Sequence, residues 1–270
     1  MLLAARAREM EGAAMDWLRR LTGSKAGEAR PPAPQPTSAS PAVPADPALP
    51  FRRTAYLPVA VEEPFGAGTG FGGQPYLAPG VENPVCPQCC DPMPLITQVD
   101  LAAQPAPVIA GEGLLQLFYC TRERDENPCD TMLEGWAPFS EGHVARLVPA
   151  TPGGTSPDVD TPFAPKRVTG WTPADDFPGW EELRELGADA GDPPNVVERY
   201  PLEGEKLGGW PAWVQGIEYP TCPRCGSRMG LVLQVDSGKL IDTMWGDVGI
   251  GHVTQCPTDP DVLTFAWACS

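Results

Sequence analysis

The sequence predicts a β-rich α+β fold that contains a tandem duplication of two related β modules, preceded by a disordered N-terminal extension. Three observations lead to this prediction. Residues 71–100 and 207–236 align without a gap at a constant offset of 136, and 14 of the 30 positions are identical. Each repeat contains a C-P-x-C motif. The 29 glycines and 35 prolines favour turns and short strands over long helices.

Changes in composition divide the chain into five predicted segments. They are an N-terminal helical or disordered extension (1–30), a Pro/Ala-rich linker (31–50), a first module (51–150), a turn-rich connector with one short helix (151–200) and a second module (201–270). In the extension, apolar side chains share one helical face, which fits either a docking helix or a weakly helical, poorly ordered terminus. The eight prolines of the linker are typical of a spacer that cannot build a core.

The modules are expected to consist mainly of strands. Residues 94–101 partly alternate between polar and apolar positions, and residues 113–120 are almost continuously apolar, as in a buried strand. Acidic residues in the first turn, two leucines on one side and Gly187 at the end predict a helix over 179–188. Further strands are predicted at 143–148, 166–172, 230–236, 239–246, 249–256 and 262–269.

The charge of the chain is strongly acidic and unevenly distributed. Residues 54–270 carry 11 basic and 30 acidic side chains, a formal net charge of −19, whereas the whole chain carries −16. This charge would repel a phosphate backbone, so we expect no nucleic-acid binding. The acidity fits a basic protein partner, and it fits equally a role in solubility alone.

The nine cysteines are predicted to act as metal ligands rather than to form disulfides. The chain has no apolar run of 18 residues, and charged residues interrupt the apolar stretch near its start. We therefore expect neither a membrane span nor a secretory signal, and the expected location is the cytoplasm. In that compartment clustered cysteines favour thiolate ligation.

The first predicted zinc site is formed by Cys86, Cys89, Cys120 and Cys129. The spacing is C-x2-C, then 30 residues, then C-x8-C, so two hairpin corners can present four thiolates in a tetrahedron, as zinc requires. Cys90 lies outside this spacing. Four thiolates leave no position for water or substrate, so the ion is expected to be structural and no catalytic residue is predicted.

A second predicted zinc site begins with Cys222, Cys225 and Cys256, which repeat the 30-residue separation. Its fourth ligand remains open. Cys269 completes a count of eight ligands, although a returning strand would place it about 20 Å from Cys256, at about 3.3 Å per residue. Asp259 lies nearer, in the intervening turn, and His252 is about 13 Å away along a strand. Cys269 is predicted, with Asp259 as its rival, which makes one or two structural zinc ions per chain.

Polar residues at the strand ends are expected to have structural roles. Gln98 and Asp100 end a strand in the first repeat, and Gln234 and Asp236 do so in the second. Paired carboxylates can serve as acid and base, but the same pattern at the same strand end favours hydrogen bonds to nearby loops.

Two further features suggest catalysis or phosphate binding only superficially. His143 and His252 have no neighbours at a spacing typical of a catalytic triad. The Gly-Gly pairs at 72–73 and 208–209 lack the helix and the lysine of a phosphate-binding loop. A tight crossing of the backbone is expected at both pairs.

Two groups of proteins resemble this chain. The stretch KLGGWPAWVQ (206–215), the following CPRC and MGLVLQVD, and the C-terminal residues from Thr243 look like the YwqG-like family of uncharacterised bacterial proteins. The Gly-Gly-x-Pro turn, the cysteine knuckle and the next strand are also similar to the eukaryotic programmed-cell-death-2 zinc proteins. The resemblance covers roughly residues 65–130 and 200–270. It implies an α+β, β-rich fold with internal duplication, and it does not supply an enzyme activity.

The predicted function is that of a non-enzymatic, zinc-stabilised module that binds another protein. The similarity to dedicated chaperones of a ribosomal protein implies that a basic client is conceivable. A chaperone and an immunity or adaptor protein both fit, with Trp210 and Trp213 lining either a peptide groove or the core. The alternative is an enzyme or small-ligand binder with its site in a cleft between the modules. That alternative requires Asp100, Asp236, His143 or His252 to converge in one pocket.

Overall fold

The computed structural model of the chain describes residues 46–124, 127–188 and 201–270. The predicted extension and most of the predicted linker lie outside the described residues. The strands are β1 (Arg53–Val61), β2 (Gly70–Phe71), β3 (Leu95–Asp100), β4 (Leu114–Tyr119), β5 (Glu123–Arg124), β6 (Asn127–Pro128), β7 (His143–Val148), β8 (Lys166–Asp176), β9 (Lys206–Gly208), β10 (Gly230–Asp236), β11 (Ile250–Gln255) and β12 (Leu263–Ala268). The α-helices are α1 (Asp130–Leu133) and α2 (Trp180–Glu185).

The predicted α+β class is wrong, because the described residues are nearly all β. Ten strands form one antiparallel sheet in the order β12-β11-β10-β9-β1-β8-β2-β3-β4-β7, and β5 pairs with β6 in a separate ribbon. The two helices contain four and six residues, too few to form a layer of their own. The helix predicted over 179–188 is present, but it stops at Glu185 ahead of Gly187, whose φ is +76°.

The two repeats share this sheet and do not form separate tandem modules. The long central strands β1 and β8 pair with each other along their whole length. β1 also pairs with β9 of the second half, where Ala55 lies opposite Gly208, and β8 pairs with β2 of the first half, where Arg167 lies opposite Gly70. β9 of the second half therefore pairs with β1 of the first half, and β8 from the connecting segment pairs with both β1 and β2.

The sheet curls into a nearly closed barrel, since its edge strands β7 and β12 approach each other. The Phe265 amide donates to His143 Nε2 at 3.4 Å, the Phe139 amide donates to Thr264 Oγ1 at 2.6 Å, and the Trp267 amide donates to a loop carbonyl at 3.1 Å. These bonds occupy donors that an open edge would leave free.

The interior of the barrel is filled with apolar side chains from both halves. Aliphatic residues such as Leu117 and Leu233 are fully buried, and an aromatic group of Tyr119, Trp245 and Phe265 packs at one end with ring centroids 4.9–6.1 Å apart. Burial of each such side chain stabilises the fold by roughly 1.5–3 kcal/mol. The barrel is thus a packed core.

The Gly-Gly pairs form the expected tight backbone crossings. All four glycines have φ between +63° and +75°, a region that favours glycine. A Cβ atom on Gly72 would lie 2.6 Å from the Ala164 carbonyl oxygen, and one on Gly73 would lie 2.6 Å from Pro165 Cβ. The backbone can pass this closely only without side chains.

The glutamines at the strand ends hold the loops in place, as expected. Gln98 donates to the carbonyl oxygens of Gly66 and Gly68 at 3.0 and 2.8 Å, and it accepts from the Tyr76 amide at 3.1 Å. Gln234 makes the corresponding three bonds in the second half. These bonds attach the loops before and after each Gly-Gly turn to the sheet.

Candidate metal centre

The structure brings the first four predicted ligands together. The sulfur atoms of Cys86, Cys89, Cys120 and Cys129 all lie within 4.8 Å of one another. Cys86 and Cys89 belong to the turn before β3, Cys120 directly follows β4, and Cys129 precedes α1. Cys86 and Cys120 are buried, and the other two are partly buried.

The spacing of these sulfurs fits a four-coordinate metal ion. The Cys86–Cys129 and Cys89–Cys120 distances are both 3.8 Å. A tetrahedron with metal–sulfur bonds of about 2.3 Å has edges of about 3.8 Å. A disulfide would need about 2.05 Å, so the cluster matches metal ligation and not cross-linking.

Backbone hydrogen bonds shape each knuckle into a tight turn. In the first knuckle the Cys86 amide donates to the Asp91 carbonyl at 3.0 Å, and the Cys90 amide donates to the Cys86 carbonyl at 2.9 Å. The second knuckle repeats both bonds, from Cys222 to Ser227 at 2.8 Å and from Gly226 to Cys222 at 2.9 Å. This turn aims two successive backbone amides at the first sulfur of each knuckle.

The ionisation of the first cluster reflects burial and hydrogen bonding in competition. Burial raises the pKa of Cys86, but hydrogen bonds from the Thr131 hydroxyl and the backbone amides of Cys89 and Gln88 outweigh it and lower this pKa to about 6. Burial raises the pKa of Cys120 and of Cys89. One thiolate therefore forms readily, and a bound cation would be needed to stabilise several buried thiolates together.

Two residues that the sequence analysis did not single out support this cluster. The Thr131 hydroxyl lies 2.9 Å from Cys86 Sγ and 3.0 Å from Cys129 Sγ. Gln88 Oε1 accepts from the Thr131 amide at 3.0 Å, and Gln88 Nε2 donates to Asp130 at 2.7 Å. A sequence signal did exist, because a threonine follows the last cysteine by two positions in both clusters.

The second cluster contains three cysteines. The sulfurs of Cys222, Cys225 and Cys256 lie within 4.8 Å of one another, with 3.5 Å between the last two. Cys225 is exposed. Hydrogen bonds from the Ser227 and Thr258 side chains lower the pKa of Cys225 to about 6.

None of the three options for a fourth ligand joins this cluster. Cys269 lies beyond β12, where its carbonyl accepts from Gln215 Nε2 and its sulfur lies near Gly246. Asp259 is paired with Arg224 at 2.8 Å. The remaining option, the imidazole of His252, is buried against the Trp213 ring, with centroids 4.7 Å apart.

The alternative enzyme function requires Asp100, Asp236, His143 or His252 to lie together in one pocket. In the structure these residues make separate structural contacts. Asp100 accepts from the Ala102 amide at 3.0 Å, and Asp236 accepts from the Gly204 amide at 2.9 Å. His143 lies at the barrel seam, where burial lowers its pKa to about 4. His252 lines a small pocket with Trp213 and Thr254, and none of the other three groups lines that pocket.

The predicted tryptophan pair is divided between the core and a partly buried site. Trp210 is 5% exposed, donates from Nε1 to the Phe51 carbonyl at 2.8 Å and carries the Arg53 guanidinium 3.3 Å above its ring. Trp213 packs between Tyr219 and His252. Trp210 is therefore buried in the core, although it also lines a surface pocket together with Arg53 and Tyr219.

Comparisons with known proteins match one part of the chain. Residues 69–142 match a domain of unknown function, DUF1963. This segment runs from β2 to the start of β7 and contains all four cysteines of the first cluster. No curated protein matches the chain. No described helix is long and apolar enough to cross a membrane. The first cluster and its supporting strands therefore lie within a segment similar to a domain family whose function is not described.

Proposed function

We propose that the four-cysteine cluster binds a structural zinc ion, and that this ion orders a surface loop through which the chain binds a basic protein. The observation that carries the proposal is the position of Cys129. It is the last cysteine of the cluster and also the N-cap residue of α1, which leads directly into residues 133–141. We call residues 133–141 the recognition loop.

Zinc is the metal that best suits this ligand set. Tetrahedral sets of four thiolates bind zinc or iron–sulfur centres, and C-x2-C knuckles are common in structural zinc sites. Four protein ligands close the coordination sphere, so the ion would contribute folding energy and not chemistry.

The recognition loop has the composition of an interaction surface. Leu133, Trp136 and Phe139 are 55%, 55% and 42% exposed, and Glu134 and Glu141 are exposed beside them. Exposed aromatic side chains are enriched among the residues that dominate binding energies at protein interfaces. The two carboxylates, together with the acidity of residues 54–270, favour a basic partner.

The backbone of this loop is held in an uncommon conformation. Phe139 has a φ of +61°, which costs free energy for a bulky residue. The bond from its amide to Thr264 and the bond from the Trp267 amide to the Trp136 carbonyl attach the loop to β12. A strained, exposed aromatic residue that is anchored at both sides supports a role in recognition.

Metal analysis of the purified full chain tests the first part of the proposal. We expect Cys86→Ser and Cys129→Ser each to lose one zinc ion relative to the wild type. Cys90→Ser is the matched control, because Cys90 is exposed and lies outside the cluster. An unchanged zinc content in Cys86→Ser, or iron in place of zinc, would contradict the proposal.

Affinity purification from the source cells, with quantitative mass spectrometry, tests the second part. We expect a basic protein to be enriched by the wild type and lost with Trp136→Ala, although this variant keeps its zinc. Trp180→Ala is the control, since Trp180 is 44% exposed elsewhere on the surface. The dissociation constant should rise steeply with salt. If Trp136→Ala and Trp180→Ala capture the partner equally, the recognition loop is not the binding surface.

A further inference from the structure

The three-cysteine cluster lacks a fourth protein ligand, so one corner of a tetrahedral metal site there would be open. Within the described ranges, no histidine, cysteine, aspartate or glutamate atom joins Cys222, Cys225 and Cys256 within the 4.8 Å that unites the cluster. Asp259, an acidic residue in the turn after Cys256, accepts a hydrogen bond from the Arg224 guanidinium. A metal ion bound here would have three protein ligands.

The chain path explains why the fourth ligand is missing. In the first cluster, the segment from Cys120 to Cys129 passes through β5 and β6 and returns Cys129 to the other sulfurs. In the second cluster, Cys256 enters a short turn that is closed by its own amide bonding to the Val262 carbonyl at 2.9 Å. The chain then runs directly into β12, and no loop returns a ligand.

A threonine hydroxyl lies beside two of the three sulfurs. Thr258 Oγ1 lies 3.2 Å from Cys225 Sγ and 3.5 Å from Cys256 Sγ. A neutral hydroxyl is a weak zinc ligand compared with a thiolate or an imidazole, and here it hydrogen-bonds the sulfurs. Both Thr258 and Cys225 are exposed, so a small molecule or a partner side chain can reach the corner.

We propose that Cys222, Cys225 and Cys256 bind zinc through three thiolates and leave its fourth position to an exchangeable ligand, either water or a neutral nitrogen donor such as imidazole. Three thiolates on a dication give a net charge of −1, which disfavours a further anion and favours a neutral donor. An open fourth position distinguishes this site from the closed four-cysteine site. The inference shares the choice of metal with the proposed function but does not depend on the recognition loop.

Cobalt(II) substitution of the full chain tests this inference, because the visible spectrum of cobalt reports its ligands. We expect two cobalt ions per chain and a change in the spectrum when imidazole is added. Cys222→Ser should bind one cobalt ion and lose the imidazole response, since the remaining site is closed. Cys86→Ser should keep the response.

Two substitutions at Thr258 test whether the fourth position is open and whether the threonine hydroxyl is a ligand. Thr258→Cys supplies a fourth thiolate, so it should abolish the imidazole response and slow loss of the second cobalt ion to a chelator by about tenfold or more. Thr258→Val keeps the shape without the hydroxyl and should behave as the wild type. Loss of the second cobalt ion in Thr258→Val would identify the hydroxyl as a ligand and overturn the inference.

Three other outcomes would also overturn it. They are a single cobalt ion in the wild type that Cys222→Ser retains, a second ion whose spectrum ignores imidazole, and a response that survives Cys222→Ser. Different results would contradict the proposed function. They are an unchanged zinc content in Cys86→Ser and an unchanged capture of the partner by Trp136→Ala.

Discussion

Cys90 occupies a position in the first knuckle at which the backbone favours glycine. Its φ is +60°, and the aligned residue of the second knuckle is Gly226, with a φ of +76°. A left-handed conformation costs a non-glycine residue about 1–2 kcal/mol, partly offset by the greater chain entropy of glycine in the unfolded state. We therefore expect Cys90→Gly to raise the free energy of unfolding by about 1 kcal/mol, measured by urea denaturation of the zinc-loaded chain.

The second knuckle offers the reverse substitution as a control. No atom lies within 4 Å of a Cβ built on Gly226, so Gly226→Ala would test backbone strain without a steric clash. It should lower the free energy of unfolding by about 1 kcal/mol. If both variants shift stability in the same direction, conformational strain at this position is not the cause.

The clustered cysteines show how far individual residues could be predicted from the sequence. Spacing alone identified Cys86, Cys89, Cys120 and Cys129, because a knuckle and a strand end impose local geometry that the intervals record. Cys269 was chosen by counting, and the antiparallel pairing of β11 with β12 carries it to the far end of the strand. Its position outside the three-cysteine cluster agrees with the expectation from strand length and not with the count of ligands.

At the scale of elements, β1 is the longest of the strands that the sequence analysis missed. Pro58 lies in the middle of β1, and proline argues against a central strand. The structure accommodates it because β9 is only three residues long and pairs with Ala55 and Tyr56. Beyond those residues β1 has β8 on one side alone, so the missing amide donor of Pro58 costs little.

The segment 239–246 shows the opposite error, since its predicted strand is a loop. Gly238 and Gly246, with φ values of +62° and +59°, turn the chain at either end. Ile241 and Trp245 are each 1% exposed and plug the barrel interior from this loop. Apolar residues that cap a barrel produce the same sequence pattern as a short buried strand.

A buried ion pair joins β8 to β9. Lys206 Nζ donates to Asp176 Oδ2 at 2.8 Å, and both side chains are 0% exposed. Asp176 also accepts from the amides of Phe177, Leu202 and Trp210, whereas among the described residues Asp176 alone accepts a hydrogen bond from Lys206 Nζ. The carboxylate is therefore better satisfied than the ammonium, and loss of Asp176 would leave a buried charge without compensation.

We expect Asp176→Asn to lower the free energy of unfolding by about 3–5 kcal/mol and Lys206→Met to lower it by less. The double variant should be more stable than the sum of the single effects predicts, with a coupling of about 0.5–3 kcal/mol. Urea denaturation of all four proteins measures this cycle. Additive effects would show that the pair does not act as a unit.

For the whole molecule, the predicted α+β class is wrong because the helices are too short to form a layer, and the predicted pair of modules is wrong because both repeats share one sheet. Local patterns located β3, β4, β7, β8, β10, β11 and β12 but contain no information on which strands pair across the repeats. The pairing of β1 with β8 and β9 joins residues more than 100 positions apart, and only the buried faces of both halves together specify it. The closure of the barrel follows from that pairing.

His143 sits at the seam that closes the barrel, and its protonation should weaken this closure. Nδ1 lies 3.3 Å from the Gly135 carbonyl, so it carries the hydrogen, and Nε2 accepts from the Phe265 amide. A proton on Nε2 would place two donors face to face. Burial lowers the pKa of His143 to about 4, and burial together with Lys206 lowers that of His252 to about 3.

This depression predicts a loss of stability in weak acid. Unfolded histidine has a pKa of about 6.5, so below that pH the unfolded chain binds protons that the folded chain does not, and stability falls until the folded pKa is reached. Each histidine should cost about 1.4 kcal/mol at pH 5.5. We expect His143→Gln to lose about 1 kcal/mol less than the wild type between pH 7.5 and pH 5.5, measured by urea denaturation at each pH. Leu147→Ala, which should be less stable without any change in its titrating groups, is the control and should lose as much stability between the two pH values as the wild type. If His143→Gln also loses as much as the wild type, His143 is protonated in the folded chain at pH 5.5.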